Sequence, residues 1–103
     1  MSFNINLNSD GEKAIIELSG RFQFGSHRDF RRVCDEALKL EDKKEIEVNM
    51  KNVEYLDSSA LGMLLLLRER AMGQERKVIL RDCSSAAKQA LDVAKFDLIF
   101  TIL

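Results

Sequence analysis

The chain has no proline, one histidine, two cysteines and five glycines among its 103 residues. With no proline, nothing breaks a helix or strand from within. The lone histidine, His27, and the two cysteines, Cys34 and Cys83, lie far apart, so no Cys/His cluster has metal-ligand spacing and no metal or other cofactor is expected. The cysteines read as reduced, small apolar residues of a cytoplasmic protein. Long apolar runs are also missing. The richest stretch, Ala60 to Leu67, is far too short to span a bilayer, so no membrane role is expected. The first ten residues, MSFNINLNSD, lack the basic segment and apolar core of a secretory signal. The 16 basic residues are scattered among 17 acidic ones, giving a net charge of −1 and no basic block for nucleic acid.

What remains is a globular balance, 46% hydrophobic and 32% charged, in a length that fits one domain over residues 1–103. Phe3, Ile5 and Leu7 alternate with Asn4, Asn6 and Asn8, which predicts a strand with one wet face. Asp10-Gly11 supplies a turn into a second strand, Ala14 to Leu18. Ser26 is expected to cap a helix carrying the stripe Phe30, Val33, Cys34, Ala37 and Leu38. Ile46, Val48 and Met50 alternate as a third strand. Ser58 to Met72 predicts a second helix closed by Gly73. Val78 to Leu80 reads as a buried strand. Ser84 or Ser85 then caps a third helix with Ala87, Ala90, Leu91 and Ala94 on one face, and Leu98 to Leu103 forms a last strand or packed tail. This order predicts an α/β fold: a mixed sheet with an N-terminal β-hairpin and helices mainly on one face.

The segment from Val53 to Arg68 stands apart. Asp57, Ser58 and Ser59 open a helix, and Asp and Ser at a helix start are explained by capping alone. The apolar density that follows is less easily explained that way. Leu61, Leu64 and Leu65 share a face with the stem of Arg68, Met63 and Leu67 lie to one side, and Leu66 lies nearly opposite. A surface helix buries only a stripe, so part of this surplus is expected to meet a partner. Gly62 costs about 1 kcal/mol inside a helix relative to alanine. It is expected to allow close approach of another backbone, internal or foreign. Catalysis finds little support, because Ser58 sits in no Gly-x-Ser-x-Gly elbow and no Gly-rich phosphate loop is present.

The string Asp57-Ser58-Ser59-Ala60-Leu61-Gly62 resembles the signature of the STAS domain, the sulfate transporter and anti-sigma factor antagonist family, and the whole order of elements fits that family. Leu18-Ser19-Gly20-Arg21 also resembles the family's strand end. Arg21-Phe22-Gln23-Phe24-Gly25 departs from the commoner Gly-Arg-Leu-Asp start and is similar to stand-alone HsbA-like and SypA-like antagonists. The resemblance implies a non-enzymatic, cytoplasmic protein-binding switch. Its expected partners are an anti-sigma factor or GHKL-type serine kinase and a metal-dependent serine/threonine phosphatase, with Ser58 the phosphorylated residue. Asp57, Ser58, Ser59, Gly62 and Met63 are the expected partner-binding residues, with Leu66 at their margin. The rival within the family is a constitutive STAS scaffold subunit of an ABC-transporter ATPase complex.

Overall fold

The period of two in the opening residues is realised as β1, Phe3–Asp10, with Phe3, Ile5 and Leu7 half-buried and the asparagines between them exposed. The structure, a computed structural model, describes residues 2–103. Gly11, at φ +61°, turns the chain into β2, Lys13–Phe22. A positive φ at the first central position alone is the type II′ arrangement, whose twist suits a hairpin. The elements that follow are α1 (His27–Leu38), β3 (Glu45–Leu56), α2 (Ser58–Gly73), β4 (Lys77–Arg81), α3 (Ser85–Val93) and β5 (Thr101–Ile102). Short 3-10 turns occupy Phe24–Ser26 and Phe96–Leu98. The sheet order is β1-β2-β3-β4-β5, with β1 antiparallel to β2 and every later pair parallel. The mixed sheet with its opening hairpin is the architecture expected from the sequence.

Register explains the two faces of the sheet. Ala14, Ile46 and Val78 lie side by side, as do Ile16, Val48 and Leu80. All six are buried, together with Phe30, Val33, Cys34, Ala37 and Leu38 of α1. The opposite face carries the rows Lys13, Glu45, Lys77 and Ile15, Glu47, Ile79. Glu47 is only 6% exposed there. Its carboxylate accepts a hydrogen bond from Arg81 Nε at 2.8 Å and lies 3.7 Å from Lys13 Nζ, so the buried charge is paired. β3 outruns β4, leaving the upper half of its edge unpaired. Ser84 sits on that edge: its N–H donates to the Met50 carbonyl and its Oγ donates to the Val53 carbonyl at 2.6 Å. Ser84 Oγ also caps α3 by accepting from Ala87 N–H.

Two local expectations are corrected. Ser26 does not cap α1 with its side chain. It closes the 3-10 turn, accepting from Gln23 N–H and donating to the Arg21 carbonyl, and is 2% exposed. Gly73 ends α2 as its last helical residue, while Glu75 takes the left-handed conformation at φ +58°. The buried face of α2 is Ala60, Met63, Leu64, Leu67 and Ala71. The stripe of Leu61, Leu65 and Met72 is apolar as well, but Leu65 and Met72 are exposed. The two alanines of the buried face let the helix sit close to its neighbours.

Gly20 is the glycine with a strict requirement. Its φ is +86°, and a Cβ built on it would lie 2.1 Å from the Ser2 carbonyl oxygen. Gly20→Ala should therefore lower stability by about 2 kcal/mol or more, through a strained φ and a displaced strand start. Thermal melting should fall by on the order of 10 °C. An unchanged melting temperature would count against this close approach.

Candidate functional site

The site forms where β2 and β3 end side by side. Phe22 and Leu56 are paired in the parallel ladder, and each strand then leaves the sheet. Asp57 follows β3 in extended conformation and caps α2. Its Oδ1 accepts from Ala60 N–H at 2.9 Å. Its Oδ2 accepts from Phe24 N–H at 3.2 Å, tying the turn after β2 to the start of α2. The Asp57 N–H in turn donates to the Phe22 carbonyl. The main-chain carbonyl of Asp57 takes the Leu61 N–H, closing the first helical turn. Ser58 and Ser59 are then the first two helical residues, whose N–H groups have no carbonyl one turn back to bond. The helix macrodipole adds partial positive charge at the same point. Chemically, this is a place where an anion is tolerated.

Four of the expected site residues gather here. Ser58 is exposed and Asp57 and Ser59 are half-buried around it. Gly62 is exposed on the next turn, and nothing lies within 4 Å of a Cβ built on it. The internal close approach expected of this glycine is thus absent. Met63 is a correction: it is 8% exposed and packs in the core, so it presents almost no surface. Leu66, 46% exposed, and Leu65, 36% exposed, carry the apolar surplus of the helix instead.

The structure adds two residues that pattern reasoning missed. Phe24 is 74% exposed beside Asp57, whereas Phe22 is fully buried. In a continuing strand the two would share a face. The 3-10 turn separates them, and no periodicity in the sequence signals it. Tyr55 is half-exposed at the end of β3, with the Arg21 guanidinium 4.1 Å above its ring. An open groove of about 410 Å³ runs from Tyr55, Leu56 and Leu61 to Ala90 and Val93 of α3. Between α1 and α2 a cavity of about 20 Å³ is lined by His27, Phe30, Cys34, Met63, Leu67 and Arg70, room for about one water.

The cysteines offer no nucleophile. Burial pushes the Cys34 thiol up to about 12, against the opposing charge of Arg70. Burial, and then Asp82, also raise the Cys83 thiol. Both therefore stay protonated at neutral pH. Among the described residues, no group of three His, Cys, Asp or Glu side chains could hold a metal ion. No helix among the described residues is long and apolar enough to cross a membrane.

Residues 5–102 match the family described as Mlab, STAS domain. A STAS-domain containing protein of Pseudomonas aeruginosa (strain UCBPP-PA14) is 40% identical over 94 residues, covering 91% of each chain. An anti-sigma factor antagonist from Mycobacterium paratuberculosis superimposes with a TM-score of 0.84 at 15% identity, covering 98% of this chain and 85% of that one. The anti-sigma factor antagonist SpoIIAA in its unphosphorylated form gives 0.74 at 18% identity, covering 99% and 87%. The Bacillus cell fate determinant SpoIIAA in the phosphorylated form gives 0.73 at 17% identity, covering 97% and 91%. The backbone described here is thus equally similar to both forms of SpoIIAA.

Asp57→Ala removes a helix cap and the tie to Phe24 together. A lost cap costs about 1 kcal/mol, within a range of about 0.5–2. Chemical denaturation should report a loss at the upper end of that range, because a second hydrogen bond disappears as well. Asp57→Asn retains one acceptor oxygen and should lie between the two. Equal stability of all three proteins would show that the carboxylate bonds contribute nothing.

Proposed function

The chain belongs to the STAS-domain family, and from that premise we propose that it is an anti-sigma factor antagonist whose hold on its partner is released by phosphorylation of Ser58. One observation carries the proposal: Ser58 is an exposed hydroxyl at the first position of α2, directly after the carboxylate that caps the helix. A phosphate there brings about −1.5 to −2 charges and three acceptor oxygens. The antagonist tolerates it, because the first-turn N–H groups and the dipole favour an anion. A partner seated over Ser58 and the exposed leucines would have to desolvate that charge next to Asp57, which is costly. The backbone of this chain matches the unphosphorylated and phosphorylated forms of SpoIIAA to the same degree, which supports a switch that blocks contact without refolding the domain.

The proposed partner surface is Asp57, Ser58, Ser59 and Gly62, widened by Phe24 and Leu66, with Met63 acting from beneath as packing. The proposed partners are an anti-sigma factor or GHKL-type serine kinase, and a metal-dependent phosphatase that resets the switch in the cytoplasm. The likeness of Arg21 to Gly25 to stand-alone HsbA-like and SypA-like antagonists supports a stand-alone role within this proposal. A second reading rests on Leu65, which is exposed well past the first turn of α2. A contact reaching that far would suit a constitutive subunit bracing an ABC-transporter ATPase, indifferent to Ser58.

Affinity capture with Ser58→Ala and Ser58→Asp separates the two. The switch predicts that Ser58→Ala holds its partner while Ser58→Asp loses it in part, the mimic having less charge and fewer oxygens. Calorimetry with protein phosphorylated on Ser58 should then show at least tenfold weaker binding, equal to about 1.4 kcal/mol. Circular dichroism should stay the same. Equal affinity of unmodified and phosphorylated protein would favour the scaffold and defeat the switch.

Gly62 supplies a separate test. Open space around its Cα means that Gly62→Ala should raise stability by about 0.5–1 kcal/mol, since alanine is the better helix former. If the glycine serves close approach of a partner backbone, the same variant should bind more weakly while melting at a higher temperature. Undiminished binding would remove Gly62 from the partner surface.

A further inference from the structure

The sheet has two outer edges, and they are not alike. β5 is only two residues long. β1 is eight residues long, ends the sheet on the other side, and pairs with β2 in a register without a break. Edge strands invite pairing with another chain, and proteins usually block them with lysine, proline, bulges or short length. β1, FNINLNSD, has none of these, and its one charge is Asp10 at the far end.

The hydrogen-bond phase of β1 can be fixed. Arg21 N–H donates to the Ser2 carbonyl, so the main chain of Ser2 faces β2. In an antiparallel pair the main-chain groups alternate between partner and outside. Asn4, Asn6 and Asn8 therefore also face β2 with their main chains, and Phe3, Ile5, Leu7 and Ser9 direct theirs outward. We propose that this edge is a self-association site, at which β1 of a second copy pairs antiparallel about a two-fold axis through Asn6.

That register uses every outward group. Ile5 meets Leu7 and Phe3 meets Ser9, each pair occurring twice, for about eight main-chain hydrogen bonds in all. Shifting the register by one residue pairs outward main-chain groups with inward ones. Shifting it by two leaves an outward group of each strand without a partner. Side chains agree with this choice. Phe3, Ile5 and Leu7 are half-buried on the helix side of the sheet, so both copies bring apolar rows together there. On the other face Asn4 meets Asn8, and the two Asn6 side chains meet on the axis. The strand core carries no charge to oppose its own copy. The inference stands apart from the Ser58 switch: the two-fold axis sends the two Ser58 turns to opposite ends of a ten-stranded sheet.

The axis makes a specific test possible. Asn6 is exposed, so changing it leaves the fold intact, which circular dichroism and melting verify. Sedimentation velocity of the full chain should show a reversible dimer at high micromolar concentration. Asn6→Lys and Asn6→Asp each place like charges face to face, at a non-hydrogen-bonded position where Cα atoms are about 4.5 Å apart. Each variant alone should associate at least tenfold more weakly. An equimolar mixture of the two should recover a one-to-one dimer, because opposite charges then meet on the axis. A wild-type chain that stays monomeric throughout overturns the proposal. So does a dimer indifferent to both variants, or a mixture that associates no better than its components.

Discussion

The Asp57 carboxylate divides its two oxygens between N–H groups that lie 33 and 3 residues away in sequence, at Phe24 and Ala60. Everything at this end of the sheet depends on that division. One bond starts α2 at a fixed residue, and the other holds the turn after β2 against it. Because Asp57 satisfies Ala60 with its side chain and Leu61 with its carbonyl, the donors left over are those of Ser58 and Ser59. Capping and anion tolerance thus fall to different N–H groups of one turn. A phosphate on Ser58 has no need to displace the cap, and the cap does not use up the groups that would steady a phosphate. A site that had to break its own cap on modification would couple the switch to stability.

α2 serves two masters, and its composition shows the conflict. Its core side is Ala60, Met63, Leu64, Leu67 and Ala71, anchored at its far end by Arg70, whose guanidinium reaches Asp35 of α1 at 2.6 Å. Arg68 reaches over its other flank to the Ile99 carbonyl at 2.8 Å. Between these anchors Leu65 and Leu66 stay in water. Burial is worth about 25 cal/mol per Å² of apolar surface. Leaving two leucines wet is tolerable only because the core side is already complete. Covering them would add a modest increment each, enough for a reversible contact and too little for a permanent one on its own.

The fold was legible from periodicity because the strands here alternate cleanly and the α1 stripe is regular. The capping role of Asp57 and the exposure of Ser58 were legible too, from chemistry at a strand-to-helix junction. Where two apolar stripes coexist, as on α2, the period alone does not say which faces inward, so Met63 is expected at the partner surface and is found in the core. The exposed Phe24 escapes pattern reasoning for a different reason. Its position follows from a hydrogen bond to a residue 33 positions away, and from a 3-10 turn locked by the buried Ser26. Gly20 looks like the other glycines in the sequence. Only the β1 backbone running past it makes it irreplaceable, while Gly62, Gly25 and Gly73 have open space around them.

Parallel strands put the proposed partner surface at their C-terminal ends, and the single antiparallel strand puts a free edge at right angles to it. These two surfaces do not overlap, so association through β1 would neither cover Ser58 nor wait on its state. A pair joined through β1 would carry its two proposed partner surfaces at opposite ends of one sheet, facing opposite ways. One partner would not engage both, so no avidity would arise. Each copy would hold or release its own partner at single-site affinity, and phosphorylation of one Ser58 would leave the other contact unchanged. The response of the pair would be the sum of two independent events, each the same local charge placed at the start of α2.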